Sequence, residues 1–177
     1  IYGETGKANG KSTVVAPFNE TTSKHFSVVS DLYWDNLSID IELSAFRTGS
    51  NIADKADGAI IVHYLPGKGG VGLLIYPGSN GIQFGLIDSF REWTLLDSTF
   101  VKGSNFTFDF IYNPYAIRVE VRGDTYLAYI NGELITSATI PDYDYGLTGL
   151  WMSTNSNIND PDIYAPRFEY ITIESLP

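Results

Sequence analysis

Residues Ile117–Ser137, IRVEVRGDTYLAYINGELITS, read as three β-strands in a row joined by two tight turns. Ile117, Val119 and Val121 alternate with Arg118, Glu120 and Arg122, the period of a half-buried strand. Arg122-Gly123-Asp124 turns the chain, Thr125–Ile130 forms the next strand, and Asn131-Gly132 turns it again. Asn-Gly favours a two-residue type I′ hairpin because both positions need positive φ. Glu133–Ser137 is the third strand. Such a meander cannot bury its apolar face alone, so the rest of the chain must supply an opposing sheet.

Working outward, the same alternation recurs. In Leu37–Phe46, Ile39, Ile41, Leu43 and Ala45 face one way and Ser38, Asp40, Glu42 and Ser44 the other. Strands are also expected at Thr13–Phe18, His25–Trp34, Asp57–Leu65, Val71–Tyr76, Gly81–Ile87, Asn105–Tyr112, Gly146–Ser153 and Arg167–Glu174. Turns are read at Pro66–Gly70, Pro77–Asn80 and Asn113-Pro114. No segment has a helical period with caps. About twelve short strands at close spacing predict an all-β, two-sheet antiparallel β-sandwich of the jelly-roll kind.

The 177 residues suit one domain, and 44% hydrophobic content suffices for its core. Residues 1–12 read as a linker or loose N-terminal segment, and residues 13–177 as the sandwich. A chain that opens on Ile1 rather than Met reads as a mature product or an excised domain, with other domains of a longer chain as partners. No run of about 18 apolar residues predicts membrane insertion. The net charge of −10 argues against nucleic acid, whose phosphates need a basic footprint. Without Cys, there is neither a disulfide nor a thiol nucleophile. Sequons at Asn19, Asn36 and Asn105 offer glycan acceptors if the source glycosylates.

The run Ala56-Asp57-Gly58, leading into an apolar strand, resembles the concanavalin A-like lectin and glucanase superfamily. Gly69-Gly70-Val71-Gly72-Leu73-Leu74 fills the place of its Gly-rich turn and following strand. The C-terminal third is similar to the laminin G-like sandwiches of that superfamily, and Gly149–Thr154 to the penultimate strand of legume-type lectins. The resemblance implies a carbohydrate-binding role, with Asp57 accepting hydrogen bonds from sugar hydroxyls and Gly69 or Gly70 supplying a backbone N–H. The chain departs from the pattern at Gln83–Asp88, where Gln83 stands in place of a metal-binding Glu.

The residues add candidates of their own. Trp93, next to Arg91 and Glu92, reads as a stacking platform, and Trp151, inside an apolar strand, as core. Asp142-Tyr143-Asp144-Tyr145 alternates carboxylates with phenols, suited to hydroxyl recognition. The polar loop with Asn155, Asn157, Asn159, Asp160 and Asp162 is long and carries hard oxygen ligands; Asn155 and Asn157 are expected to contact the sugar, and Asn159, Asp160 and Asp162 with Asp88 to offer a calcium site. The expected function is non-catalytic binding of an oligo- or polysaccharide by an extracellular or cell-surface protein.

Two alternatives stand beside it. Ser38-Ile39-Asp40-Ile41-Glu42 matches two of three positions in the Glu-x-Asp-x-Glu strand of laminarinase-type hydrolases, so Asp40 and Glu42 are candidate glycosidase carboxylates, with Ser38 where the nucleophile belongs. A structural or adhesion domain of a surface layer is the other. His25 and His63 read as structural, and Arg122-Gly123-Asp124 as an ordinary turn.

Overall fold

The computed structural model describes residues 23–47, 56–76, 80–90, 92–103, 106, 114–154 and 164–177. The strands expected at Thr13–Phe18 and Asn105–Tyr112, the segment 1–12 and the loop 155–163 lie outside these, save Phe106. Twelve strands are described. One sheet, in the order β1-β11-β3-β4-β5-β6, comprises β1 (Ser23–Val28), β11 (Leu147–Thr154), β3 (Ala56–Leu65), β4 (Gly69–Tyr76), β5 (Gly81–Ile87) and β6 (Trp93–Leu95). The short β7 (Val101–Lys102) also pairs with β5. The second sheet runs β10 (Glu133–Thr139), β9 (Thr125–Ile130), β8 (Tyr115–Arg122), β2 (Leu37–Arg47) and β12 (Tyr164–Ser175). All pairings are antiparallel, so the expected two-sheet sandwich is the observed fold.

The core lies between the sheets and follows the alternation. Leu37, Ile39, Ile41 and Leu43 of β2, with Ile117, Val119 and Val121 of β8, meet Ile60, Val62, Leu73, Ile75, Ile82 and Phe84 of the larger sheet. All are essentially inaccessible to water. Burial of so many branched side chains on two facing pleats is what holds the layers together.

The central meander forms as read, with β10 running two residues further than expected. Asn131 and Gly132 take φ of 51° and 84°, both in the left-handed region. Other boundaries shift. The first strand ends at Val28, well before Trp34, because Ser30 Oγ accepts from the Leu32 amide and the Trp34 indole and coils the chain instead. Pro66–Lys68 is the β3–β4 turn, and Gly69 and Gly70 already belong to β4. A single 3₁₀ turn, Asp97–Thr99, follows β6, pinned by the Thr99 hydroxyl on Leu96 O.

One irregularity positions everything discussed below. The ladders of β3 with both β4 and β11 slip in register between Ile61 and His63 and between Leu147 and Gly149. Strict alternation would put His63 on the outer face with Ile61. The bulge turns it inward, to Tyr126 in the core.

Gly132→Val places a β-branched residue at positive φ, and we expect a loss of about 1–2 kcal/mol. Urea unfolding should show a lower midpoint with an unchanged slope.

Candidate functional site

At the end of the sandwich where β3 turns into β4, two loops are laced together. Residues 29–36 and 141–146 are joined by the reciprocal backbone pair Trp34–Gly146, each bond 2.9 Å. Gly146 is there because the chains nearly touch: a Cβ on it would lie 2.5 Å from the Tyr64 nitrogen.

His63 is the pin. It is fully buried. Nδ1 lies 2.6 Å from the Tyr143 carbonyl oxygen and 3.0 Å from the Tyr126 hydroxyl, and Nε2 lies 2.9 Å from the Asp35 carbonyl oxygen. The Tyr126 hydroxyl donates to the Tyr143 carbonyl at 2.8 Å. One imidazole thus reaches both loops. Burial pulls it below the usual histidine range, against the two carbonyl acceptors and the charges of Asp144 and Asp35, which pull the other way. Burial also pushes the Tyr126 phenol upward, which keeps it a donor.

The outer side of this clamp is aromatic and acidic. Tyr33 and Tyr145, 55% and 52% exposed, approach to 6.1 Å between ring centroids at 50°. Leu32 beside them is exposed as well. Tyr143 is half-buried and packs on the core, with the Lys68 ammonium 4.6 Å from its ring centroid. Lys68 Nζ donates to the Asp142 carbonyl. Asp142 holds a φ of 74°, a strained value that Asp tolerates better than most residues.

The expected site residues divide. Tyr143 and Tyr145 lie here, now with Tyr33. Gly69, Gly70 and Asp88 lie at the same end, since Gly70 pairs with Ile87 and a Cβ on Gly69 would sit 2.9 Å from the Asp88 Cα. Both glycines are buried within the sheet rather than forming an open turn, and Gly69 needs its φ of 107° to enter the strand. Asp88 Oδ1 accepts from the Phe90 and Glu92 amides, each at 2.8 Å, and so builds its own turn. Among the described residues no three acidic or His side chains gather as a metal site. Asn155, Asn157, Asn159, Asp160 and Asp162 lie outside the described residues.

Asp57 is elsewhere. It opens β3 opposite Ser153, whereas Gly69 pairs with Leu65 at the far end of that strand. Eight residues of strand span about 26 Å, so the Asp57–glycine combination implied by the resemblance is not assembled.

Trp93 does not stand out as a platform. It is half-buried on the outer face of the larger sheet, over two glycines paired across strands β4 and β5. A Cβ on Gly72 would come within 2.8 Å of its Cη2, and one on Gly85 within 3.1 Å of its Cε3. Its ring meets that of Trp151 edge-on at 5.4 Å, and both pack with Ala59, Ile61, Leu74 and Ile87. Among the described residues, the indole N–H of each, and the Gln83 amide nitrogen, have no hydrogen-bond partner.

Asp40 and Glu42 lie on the outer face of the smaller sheet, where Arg118 bonds Asp40 at 2.9 Å and Glu120 at 2.8 Å. Asp40 therefore holds a guanidinium. Ser38, at the position of the missing nucleophile, is wholly buried.

Two outcomes test this description. The unfolded chain takes a proton on His63 at about pH 6.5, while the folded chain resists until lower pH. Between these values the unfolded state binds more protons, so stability is full above about pH 6.5 and falls as pH drops below it. Urea midpoints measured across that window should slope in the wild type and flatten in His63→Gln. Trp93→Ala should lose about 3–5 kcal/mol, because the slot over Gly72 and Gly85 empties, as read by the same midpoints.

No protein-family profile matches this chain, and no curated protein matches it in sequence. Solved structures do match in shape. The carbohydrate-binding module CBM66 from Bacillus subtilis superposes with a TM-score of 0.65 at 15% identity, over 94% of this chain and 96% of that one. The binding domain of botulinum neurotoxin serotype G gives 0.55 at 19% identity, over 96% of this chain and 40% of that one. Sheep galectin-11, in complex with glycerol, gives 0.52 at 7% identity, over 86% and 96%. At these identities what is shared is the fold: this chain is a β-sandwich of the shape that a bacterial carbohydrate-binding module and a galectin also adopt.

Proposed function

We propose that the chain is a non-catalytic carbohydrate-binding domain of an extracellular or cell-surface protein. It takes an oligo- or polysaccharide at the Tyr33–Tyr145 end of the sandwich. The observation that carries this reading is the exposed tyrosine pair on two loops pinned by one buried imidazole. Sugar C–H faces pack on aromatic rings, and exposed aromatics mark binding surfaces. Phenols and carboxylates beside the rings, here Asp31, Asp35, Asp142 and Asp144, can take the hydroxyls, and charged acceptors make the stronger bonds. Pinning limits the entropy lost when a ligand orders the loops. A fold shared with a carbohydrate-binding module and a galectin is consistent with this role, but fold alone does not carry it.

The hydrolase reading has less support. A glycosidase needs two carboxyl groups turned to the scissile bond. Asp40 is committed to Arg118, and Ser38 stands buried where the third acidic residue belongs.

A glycan array on the isolated domain tests the proposal. For the best-bound glycan, Tyr33→Ala and Tyr145→Ala should each weaken affinity about tenfold, with unchanged thermal unfolding. Asp57→Ala should bind as the wild type does. Loss of binding in Asp57→Ala with retention in both tyrosine variants would refute the site. Repeating the array in EDTA tests the calcium expected at Asp88, Asn159, Asp160 and Asp162: a loss of signal assigns it.

A further inference from the structure

The charge around the tyrosine pair goes beyond generic sugar binding. Asp31 and Asp35 flank Tyr33, Asp142 and Asp144 precede Tyr145, and all four are exposed. Among the described residues, ion pairs join Arg118 and Arg122 to Asp40 and Glu120, and none reaches these four carboxylates. The loops 29–36 and 141–146 contain no Lys or Arg. The nearest cation of the adjoining turn, Lys68, has its ammonium on a backbone carbonyl and a tyrosine ring.

The carboxylates do not form a cage. No group of three or more potential metal ligands gathers among the described residues, so the charge is a spread field around an aromatic floor rather than a point site. Such a field acts on a whole ligand. It raises the local concentration of cations, repels anions, and fades with added salt. An ammonium near the faces of Tyr33 and Tyr145 gains further from the ring quadrupoles.

Resting on the carbohydrate reading, we infer that this end of the sandwich selects saccharides by charge and favours units bearing a protonated amine, the 2-amino-2-deoxyhexoses. Neutral sugars stack on the same rings without the electrostatic gain. Uronates and sulfated or sialylated glycans are disfavoured.

Three ligands of matched length separate the possibilities: glucosamine, N-acetylglucosamine and galacturonate oligomers. Binding is measured by calorimetry in mildly acidic buffer, where the sugar amines are charged, at low and high salt. At low salt the glucosamine oligomer should bind about fivefold tighter than its acetylated counterpart, and the galacturonate oligomer should bind weakest. High salt should close the gap. Asp144→Asn should narrow it too, whereas Asp97→Asn, the same loss of one charge at the far edge of the sheet, should leave it open. Tyr145→Ala should weaken both amino and acetylated ligands.

Equal, tyrosine-dependent binding of the amino and acetylated oligomers would overturn charge selection and leave the carbohydrate reading standing. Amino-oligomer binding that ignores Tyr33→Ala and Tyr145→Ala, or falls equally in Asp97→Asn, would reduce the effect to attraction by the chain's net charge and overturn it as well. No binding of any saccharide, here or on the array, would overturn the carbohydrate reading itself.

Discussion

The organisation of the candidate site depends on a neutral imidazole buried between two backbone carbonyls. His63 carries one N–H when neutral, yet both its nitrogens face acceptors, the carbonyls of Tyr143 and Asp35. With the ring N–H on Nε2 given to the Asp35 carbonyl, the Tyr126 hydroxyl gives its single proton to the Tyr143 oxygen at 2.8 Å, so both carbonyls are satisfied. Leaving either carbonyl unpaired away from water would cost about 1–3 kcal/mol. Three elements distant in sequence are therefore fixed together: the loop after β1, the bulged strand β3 and the loop before β11. The bulge is the precondition, because without it the ring would lie on the other side of the sheet.

Much of the fold was legible because its signals are local. Ile39, Ile41 and Leu43, and again Ile117, Val119 and Val121, alternate with polar residues, and Asn131-Gly132 specifies its turn from two residues alone. What escaped was set by pairing across strands. Trp93 follows the charged pair Arg91-Glu92 and reads as exposed, but Gly72 and Gly85, 13 residues apart, meet across two strands and leave a slot for its ring. Asp57 and Gly69 read as partners, but a strand as long as β3 holds them at opposite ends. Tyr33 was hidden inside a stretch that reads as strand, since the hydrogen bonds of Ser30 that end it are a side-chain effect with no periodic trace. A signal was there: Asp31-Leu32-Tyr33-Trp34-Asp35 mixes aromatic residues and carboxylates as Asp142–Tyr145 does, and the two runs become neighbours.

The two outer faces of the sandwich differ in kind. The smaller sheet presents a charge ladder of Asp40, Arg118, Glu120 and Arg122, the usual solvated face of an antiparallel sheet. The larger sheet carries a second apolar cluster around Trp93 and Trp151, so its central strands β3 and β4 are buried on both sides. This explains why DGAIIVHYL and GGVGLLIY are continuous apolar runs rather than alternating ones.

The hairpin turn at Asn131-Gly132 also sets a chemical lifetime. Asn followed by Gly readily closes to a succinimide, because the glycine nitrogen is unhindered, and the ring reopens mostly to isoaspartate. Here the Asn131 side-chain oxygen accepts from the Ala116 amide at 3.1 Å, and the Asn131 backbone N–H donates to the Ala116 carbonyl at 2.7 Å. The carboxamide is thus tied to the neighbouring strand, and the folded chain should age more slowly at this position than the unfolded one. Once formed, isoaspartate would add a methylene to the main chain inside a two-residue turn whose geometry fixes the β9–β10 register. Each passage through the unfolded state therefore exposes the meander to a covalent change that it could not easily accommodate on refolding.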